Sequence, residues 1–372
     1  MRSPPRPQGP PTQGVCRVAG SRPQSTGRPA ADERACWGID PAEVGAAHSG
    51  GDWTVTPLPP TFDEIQRAAE TIQGRLPVTP AWSYPTLDAL AGCEVVVKHE
   101  NAQPTGAFKV RGGLALAATL APAQLAAGLI TASTGNHAQS IAYAARLHGA
   151  LATIVMPESA PVAKVTAVRL LGANVIMCGP TMTEAVAKAQ ELADLDGMTY
   201  VDPGNTPAII AGHATVYLEL LTQRPDLEAI FVPIGSGSGA AGACIVRDRV
   251  APQCRIIGVQ SSAAQAAYRS WRAGAIEVAP CLTRHSGLAT GRGFELPQSV
   301  IATGLADFVL VDDAAISRAA TELAHRAHTL AEGAGAAALA GLLHSAWRPS
   351  RAAVVCTGGN ASAEEIAELG TP

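Results

Sequence analysis

Four lysines, Lys98, Lys109, Lys164 and Lys188, serve a chain of 372 residues. The Lys+Arg total is 27, so arginine takes the other 23 positions. Lys109 stands in the run Thr105-Gly-Ala-Phe-Lys-Val-Arg-Gly-Gly113. An amine can lose its proton and condense with an aldehyde, which a guanidinium cannot. A lysine held between glycines and one of only five phenylalanines is a candidate for Schiff-base chemistry. The same placement also suits a surface lysine in a turn, so the rest of the chain has to decide.

Three glycine-rich turns each follow a strand-like run. Ser133-Thr-Gly-Asn-His137 follows Leu129-Ile-Thr. Hydroxyl residues and glycine at a helix start expose unpaired N–H groups and the positive end of the helix dipole, a seat for a carboxylate. Ordinary N-capping by Ser133 or Thr134 is the competing reading. Gly235-Ser-Gly-Ser-Gly239 follows Ala229-Ile-Phe-Val-Pro-Ile234. Alternating glycines let the backbone wrap an anion, and Ser236 and Ser238 add hydroxyl donors. No acidic residue closes the next strand at the ribose distance, so a phosphate fits better than a dinucleotide. A tight strand–helix turn is the plain alternative. Thr357-Gly-Gly-Asn360 follows Ala352-Ala-Val-Val-Cys356. Ligands of open α/β sheets bind at such carboxyl ends, where Thr357 has a hydroxyl to offer a ring nitrogen; a final turn with an Asn cap is the alternative.

These turns need a scaffold of alternating strands and helices. Strand-like runs cover residues 93–98, 128–132, 151–156, 174–177, 199–201, 229–234, 255–260, 308–311 and 352–356. Helix-like runs cover 114–120, 138–148, 164–171, 183–195 and 214–221, and one begins at Ala240. That alternation predicts an open, mostly parallel α/β sheet. The fold is expected to start near Thr61, which can cap a first helix with Glu64 in the reciprocal position. Residues 1–55, rich in Pro, Gly and Arg, read as a disordered extension. They hold no apolar core of the kind a secretory signal needs; an arginine excess leaves a transit peptide open.

Composition bounds the function. Hydrophobic residues make up 47% and charged residues 16%, a globular balance. A net charge of −4 points to neither nucleic acid nor an anionic membrane surface. The eight cysteines are scattered without a C-x-x-C pair, which suits a reducing cytoplasm and argues against zinc or a disulfide framework. No apolar run approaches the ~18 residues of a membrane span.

Taken in order, the Lys109 run, residues 133–137, the glycine–serine loop and Thr357-Gly-Gly-Asn360 resemble the pyridoxal-phosphate-dependent threonine/serine dehydratases. Lys98-His-Glu-Asn-Ala-Gln-Pro-Thr105, Ile209-Ile-Ala-Gly-His-Ala-Thr215 and Glu332-Gly-Ala-Gly-Ala add to the likeness, which covers roughly residues 60–370. The resemblance implies two open, mostly parallel sheet domains of the fold-type-II, tryptophan-synthase-β kind. Residues 56–118 and 206–372 would form the large domain and 119–205 the small one.

The resemblance also implies roles. Lys109 would join the cofactor aldehyde and later act as base. Phe108 would pack on the pyridine ring, and Asn136 would hydrogen-bond its phenolic oxygen. Gly235, Ser236, Gly237, Ser238 and Gly239 would hold the phosphate, and Thr357 would face the ring nitrogen. Ser133, Thr134, Gly135 and His137 would form the substrate-carboxylate loop, with His137 a structural part of the turn. Glu332 is either a shaper of the cofactor face or an ordinary helix-end acid. Asp202 and Asn205 are candidates to touch the phosphate. Lys98, Lys164 and Lys188 have ordinary structural readings.

The expected reaction is elimination of water from L-threonine, and from L-serine, giving a 2-oxo acid and ammonia. A dehydratase for 3-hydroxyaspartate, a serine-racemase-like enzyme and a non-catalytic anion-binding module are the alternatives. Related racemases carry acidic metal ligands after the strand that matches Ile256–Gln260. Here residues 260–267 lack a carboxylate, so no metal is expected there. Thr134 in place of the racemase serine demotes racemisation. The chain ends twelve residues after Asn360, so feedback through a C-terminal regulatory domain is not expected. A free amino acid is the expected partner, with a homodimer or homotetramer as the family's assembly. Substrate choice is expected near residues 286–295.

Overall fold

The structure is a computed structural model that describes residues 57–370. The reading of residues 1–55 as a disordered tail falls outside the described residues. The first helix, Phe62–Ile72, starts on the expected cap. Thr61 N donates to Glu64 Oε2 at 2.7 Å, and Glu64 N donates to Thr61 Oγ1 at 3.3 Å.

Ten strands lie among the described residues: β1 (Ala81–Ser83), β2 (Glu94–His99), β3 (Leu129–Ala132), β4 (Ala152–Met156), β5 (Asn174–Met177), β6 (Thr199–Tyr200), β7 (Ala229–Pro233), β8 (Arg255–Ser261), β9 (Asp307–Val311) and β10 (Arg351–Cys356). They form two sheets, ordered β1-β2-β10-β7-β8-β9 and β5-β4-β3-β6. Every pairing is parallel except β1 with β2. β1 was not expected, since three residues are too few to show an alternating pattern.

Both faces of the six-stranded sheet are covered. Val96, Ile230 and Val355 join one buried cluster, and their neighbours Val95, Val97, Phe231 and Val354 join the opposite one. The near-continuous apolar strands follow from that two-sided burial. Leu129, Ile154 and Met156 against Ile130, Ala132 and Val155 repeat the arrangement in the four-stranded sheet.

Two helices begin earlier than expected. Lys109–Thr119 opens at Lys109 rather than near residue 114, and Pro207–Gln223 opens with proline in its first turn rather than at Ala214. Helix Lys109–Thr119 packs against both Asn136–Leu147 and Pro207–Gln223.

A buried ionic network ties these parts together. Lys98, fully buried, donates to Thr79 O and Gln223 Oε1, each at 2.9 Å, and pairs with Glu219. Arg111 grips Glu100 through Nε at 2.8 Å and Nη2 at 2.7 Å, and reaches Glu219 at 3.2 Å. Two cations balance two carboxylates, which is what lets such charges stay out of water. The network joins β2, the helix carrying Lys109 and the helix Pro207–Gln223. It thereby fixes the backbone two residues beyond Lys109.

Candidate active site

Lys109, residues 133–137, residues 235–239 and Thr357 all lie after carboxyl ends of parallel strands. Backbone bonds stitch the Lys109 loop to the end of β10. Phe108 N donates to Thr357 O at 2.9 Å, Gly359 N donates to Gly106 O at 2.9 Å, and Ala107 bridges Gly358. Lys109 is thus the first residue of a helix whose entry is clamped on both sides.

The Lys109 amine donates to Ser238 Oγ at 3.3 Å and sits 5.2 Å from the Phe108 ring centre. Burial pushes its pKa down to about 8, against the pull of the Asp202 carboxylate. About a tenth of the amine is then neutral at pH 7 and about half at pH 8, far more than an ordinary lysine offers as a nucleophile or base. Ser238 is a meeting point. Its hydroxyl also lies 3.0 Å from His213 Nδ1 and 3.2 Å from Ser236 Oγ.

The loop 235–239 turns through Gly237, whose φ of 87° belongs to the left-handed region that suits glycine. Helix Ser238–Val250 begins there, so its first N–H groups have no intrahelical partner. Gly239 leaves the space over Phe108 open: a Cβ there would come within 3.4 Å of that ring. Thr290 Oγ1 donates to Gly235 O at 3.2 Å, and Ser236 donates to Pro203 O at 3.2 Å.

Asn136 opens helix Asn136–Leu147 and is held at both ends of its amide. Its Oδ1 accepts from Asn360 Nδ2 at 2.8 Å, and its Nδ2 donates to Glu332 Oε1 at 2.5 Å. One amide hydrogen of Asn136 remains to serve a ligand. Burial pushes the Glu332 carboxyl up to about 7, with the Asn136 bond opposing. Glu332 is therefore a buried side chain of the site and not an exposed helix-end acid. The Thr357 hydroxyl donates to Ala334 O at 3.2 Å, which leaves its lone pairs as what it offers.

Ser133, Thr134 and Gly135 lie half-buried in the turn before that helix, where Gly135 N donates to Ser133 Oγ at 3.2 Å. Among the described residues neither Ser133 nor Thr134 hydrogen-bonds to Lys109, Ser238 or Asn136. His137 is buried with Nε2 3.5 Å from Val201 O; burial first, and the Lys109 charge second, lower its pKa to about 3. A ring so hard to protonate suits a structural part of the turn. Asp202 spends Oδ1 on the N–H groups of Gly204 and Asn205, at 2.8 and 2.6 Å. Asn205 meets Glu295 and the Leu296 N–H, so it shapes its own loop and the neighbouring one. Lys188 pairs with Glu191 on the surface, and Lys164 donates to Ser286 Oγ at 3.0 Å.

His213 is the site residue to which no role had been assigned. It lies fully buried between Ser238 and the Phe108 ring, 4.6 Å from that ring's centre. The signal was present: a polar ring between Gly212 and Ala214, following the apolar run 208–211 of its helix.

Fold and geometry together give an open α/β protein with a desolvated lysine facing a glycine–serine loop at a helix start. The comparisons with known proteins give the same answer. Residues 72–358 match the family model described as pyridoxal-phosphate-dependent enzyme, and the chain belongs to that family. A biosynthetic L-threonine dehydratase of Pasteurella multocida is 39% identical over 266 residues, 71% of this chain and 52% of that protein. The chain thus spans about half the length of that relative. An L-threo-3-hydroxyaspartate ammonia-lyase of Pseudomonas sp. is 34% identical over 312 residues, 83% of this chain and 98% of that protein. The processed form of threonine deaminase isoform 2 from Solanum lycopersicum superposes with a TM-score of 0.77 at 29% identity, covering 84% of this chain and 94% of that one.

The residues present fit pyridoxal phosphate. The amine is held near pKa 8, the helix start at Ser238 presents N–H groups and two hydroxyls to a phosphate, and Asn136 keeps a free amide hydrogen. Among the described residues no group of three His, Cys, Asp or Glu side chains is placed to hold a metal, and no helix is long and apolar enough to cross a membrane.

Proposed function

We propose that this chain is an L-threonine ammonia-lyase, acting also on L-serine, that eliminates water and yields a 2-oxo acid and ammonia. The observation that carries the reading is the Lys109 amine, desolvated so that its pKa falls to about 8 and bonded to Ser238 of the loop 235–239. The relatives named for L-threonine suggest the substrate.

When bound, pyridoxal phosphate supplies a conjugated, electron-withdrawing ring that accepts the electron pair left at the substrate α-carbon. Residues 235–239 hold its phosphate through backbone N–H groups and the Ser236 and Ser238 hydroxyls. Phe108, backed by His213, forms the flat wall against the ring, Asn136 donates to the phenolic oxygen, and Thr357 meets the ring nitrogen. Lys109 takes the α-proton as general base, with Ser238 orienting its amine. Ser133, Thr134, Gly135 and the N–H groups that start helix Asn136–Leu147 bind the substrate carboxylate. The same reading divides the chain into a large domain (56–118 and 206–372) and a small one (119–205), and takes the enzyme to be a cytoplasmic homo-oligomer.

A 3-hydroxyaspartate ammonia-lyase is the second reading, favoured by the relative whose whole length this chain nearly covers. Measuring 2-oxo acid release from L-Thr, L-Ser, D-Ser and 3-hydroxyaspartate tests the choice. L-Thr should turn over fastest; exclusive turnover of 3-hydroxyaspartate would transfer the assignment, and no release from any of them would remove it.

A further inference from the structure

His213 enters the chemistry above only as backing for Phe108, yet it is also buried beside Ser238. Its ring is inaccessible to solvent, touches Phe108 on one side and meets Ser238 Oγ through Nδ1 at 3.0 Å. Its other nitrogen, Nε2, is buried without a hydrogen-bond partner. Gly112 lies against it: a Cβ at that position would stand 2.5 Å from Nε2. The carbonyl of Lys109 also acts on the ring, but Nε2 makes no hydrogen bond to it.

Burial, and after it the nearby Lys109 charge, keep the imidazole neutral, so it carries one N–H. A buried N–H with no acceptor is rarer than a buried bare acceptor. The hydrogen therefore belongs on Nδ1, and His213 donates to Ser238. Ser238 Oγ then receives two donors, His213 at 3.0 Å and Lys109 at 3.3 Å. Both lone pairs of the hydroxyl are used, and its one hydrogen must go elsewhere. The remaining neighbour is Ser236 Oγ at 3.2 Å, in the same loop.

We propose that His213 is a positioning residue for anion recognition: its Nδ1–H holds Ser238 so that the serine hydrogen is presented to the phosphate group seated in loop 235–239. The inference rests on the pyridoxal-phosphate reading of that loop. It predicts a larger effect on pyridoxal phosphate than on pyridoxal, because Ser238 also meets the Lys109 amine that serves both ligands, while only the first brings a phosphate to the loop.

The experiment compares equilibrium binding of pyridoxal phosphate and of pyridoxal, which lacks the phosphate, to the full chain stripped of cofactor. His213→Phe keeps an aromatic ring under Phe108 and removes the donor. His213→Asn loses the ring and places an amide N–H where Nδ1 stood. His213→Phe should weaken pyridoxal phosphate binding about tenfold, the effect of one hydrogen bond in a charged site, and weaken pyridoxal binding markedly less. His213→Asn should restore most of the loss. In a Ser238→Ala background His213→Phe should cost nothing further.

A role in packing alone predicts the reverse order, with Asn worse than Phe and both ligands weakened alike; that result overturns the inference. Should His213→Phe not fold, ¹⁵N spectra of the histidine-labelled wild-type chain decide. A hydrogen on Nδ1 is expected, and a hydrogen on Nε2 overturns the proposal. If the wild-type chain binds pyridoxal but gains nothing from the phosphate, the reading of loop 235–239 fails first.

Discussion

Replacing Glu332 by Gln should stabilise the cofactor-free protein at pH 8 and leave it little changed at pH 4.5. Glu332 is 6% exposed, and burial raises its carboxyl from 4.5 to about 7. Between those values the folded chain holds a proton that the unfolded chain has lost. Stability from this group is therefore complete below pH 4.5 and falls as pH rises through about 7. The difference between the two values corresponds to about 3 kcal/mol. Gln keeps an oxygen for the Asn136 amide, which donates to Glu332 Oε1 at 2.5 Å, and cannot ionise. At about 2 °C per kcal/mol for a chain of this size, the gain at pH 8 is roughly 6 °C in Tm. Melting curves of both proteins from pH 4.5 to 8.5 measure it. A wild-type-to-variant gap that does not widen with pH would refute the claim that Glu332 is a buried, proton-holding carboxyl.

Other consequences follow from the same geometry. Arg111→Met should cost about 3–5 kcal/mol, because it strands the Glu100 carboxylate it grips at 2.7 Å; denaturant titration measures this. Gly237→Ala should lower stability by about 1 kcal/mol or more and weaken pyridoxal phosphate binding, since φ is 87° and the new Cβ would stand 2.9 Å from Pro297. The rate at which the stripped chain captures pyridoxal phosphate should rise about tenfold per pH unit below pH 8 and level above it, following the neutral fraction of Lys109. A flat stopped-flow profile from pH 6 to 9 would place the amine outside that range.

Much of this was legible before the structure. Nine of the ten strands were located, the inner ones as short apolar runs because both their faces are covered, and the Thr61–Glu64 cap is local chemistry. The start of helix Lys109–Thr119 was not legible, since Gly112 and Gly113 weaken its helical pattern. Their reason is tertiary: Gly112 faces His213 and Gly113 faces Ser140. The Asn136–Glu332 bond joins residues 196 apart in sequence, and the Lys98–Glu219 pair joins residues 121 apart. Neither leaves a periodic trace, so Lys98 read as an ordinary strand end and Glu332 as an ambiguous acid. Residues 133–137 could be located but not oriented, because hydroxyls that cap a helix and hydroxyls that bind a carboxylate have the same sequence signature.

The most direct test is covalent. The purified chain with pyridoxal phosphate is treated with borohydride, digested and mapped by mass spectrometry. A single pyridoxyl adduct on the peptide bearing Lys109 is the outcome expected; an adduct on Lys98, Lys164 or Lys188, or none at all, would contradict the central role given to that amine.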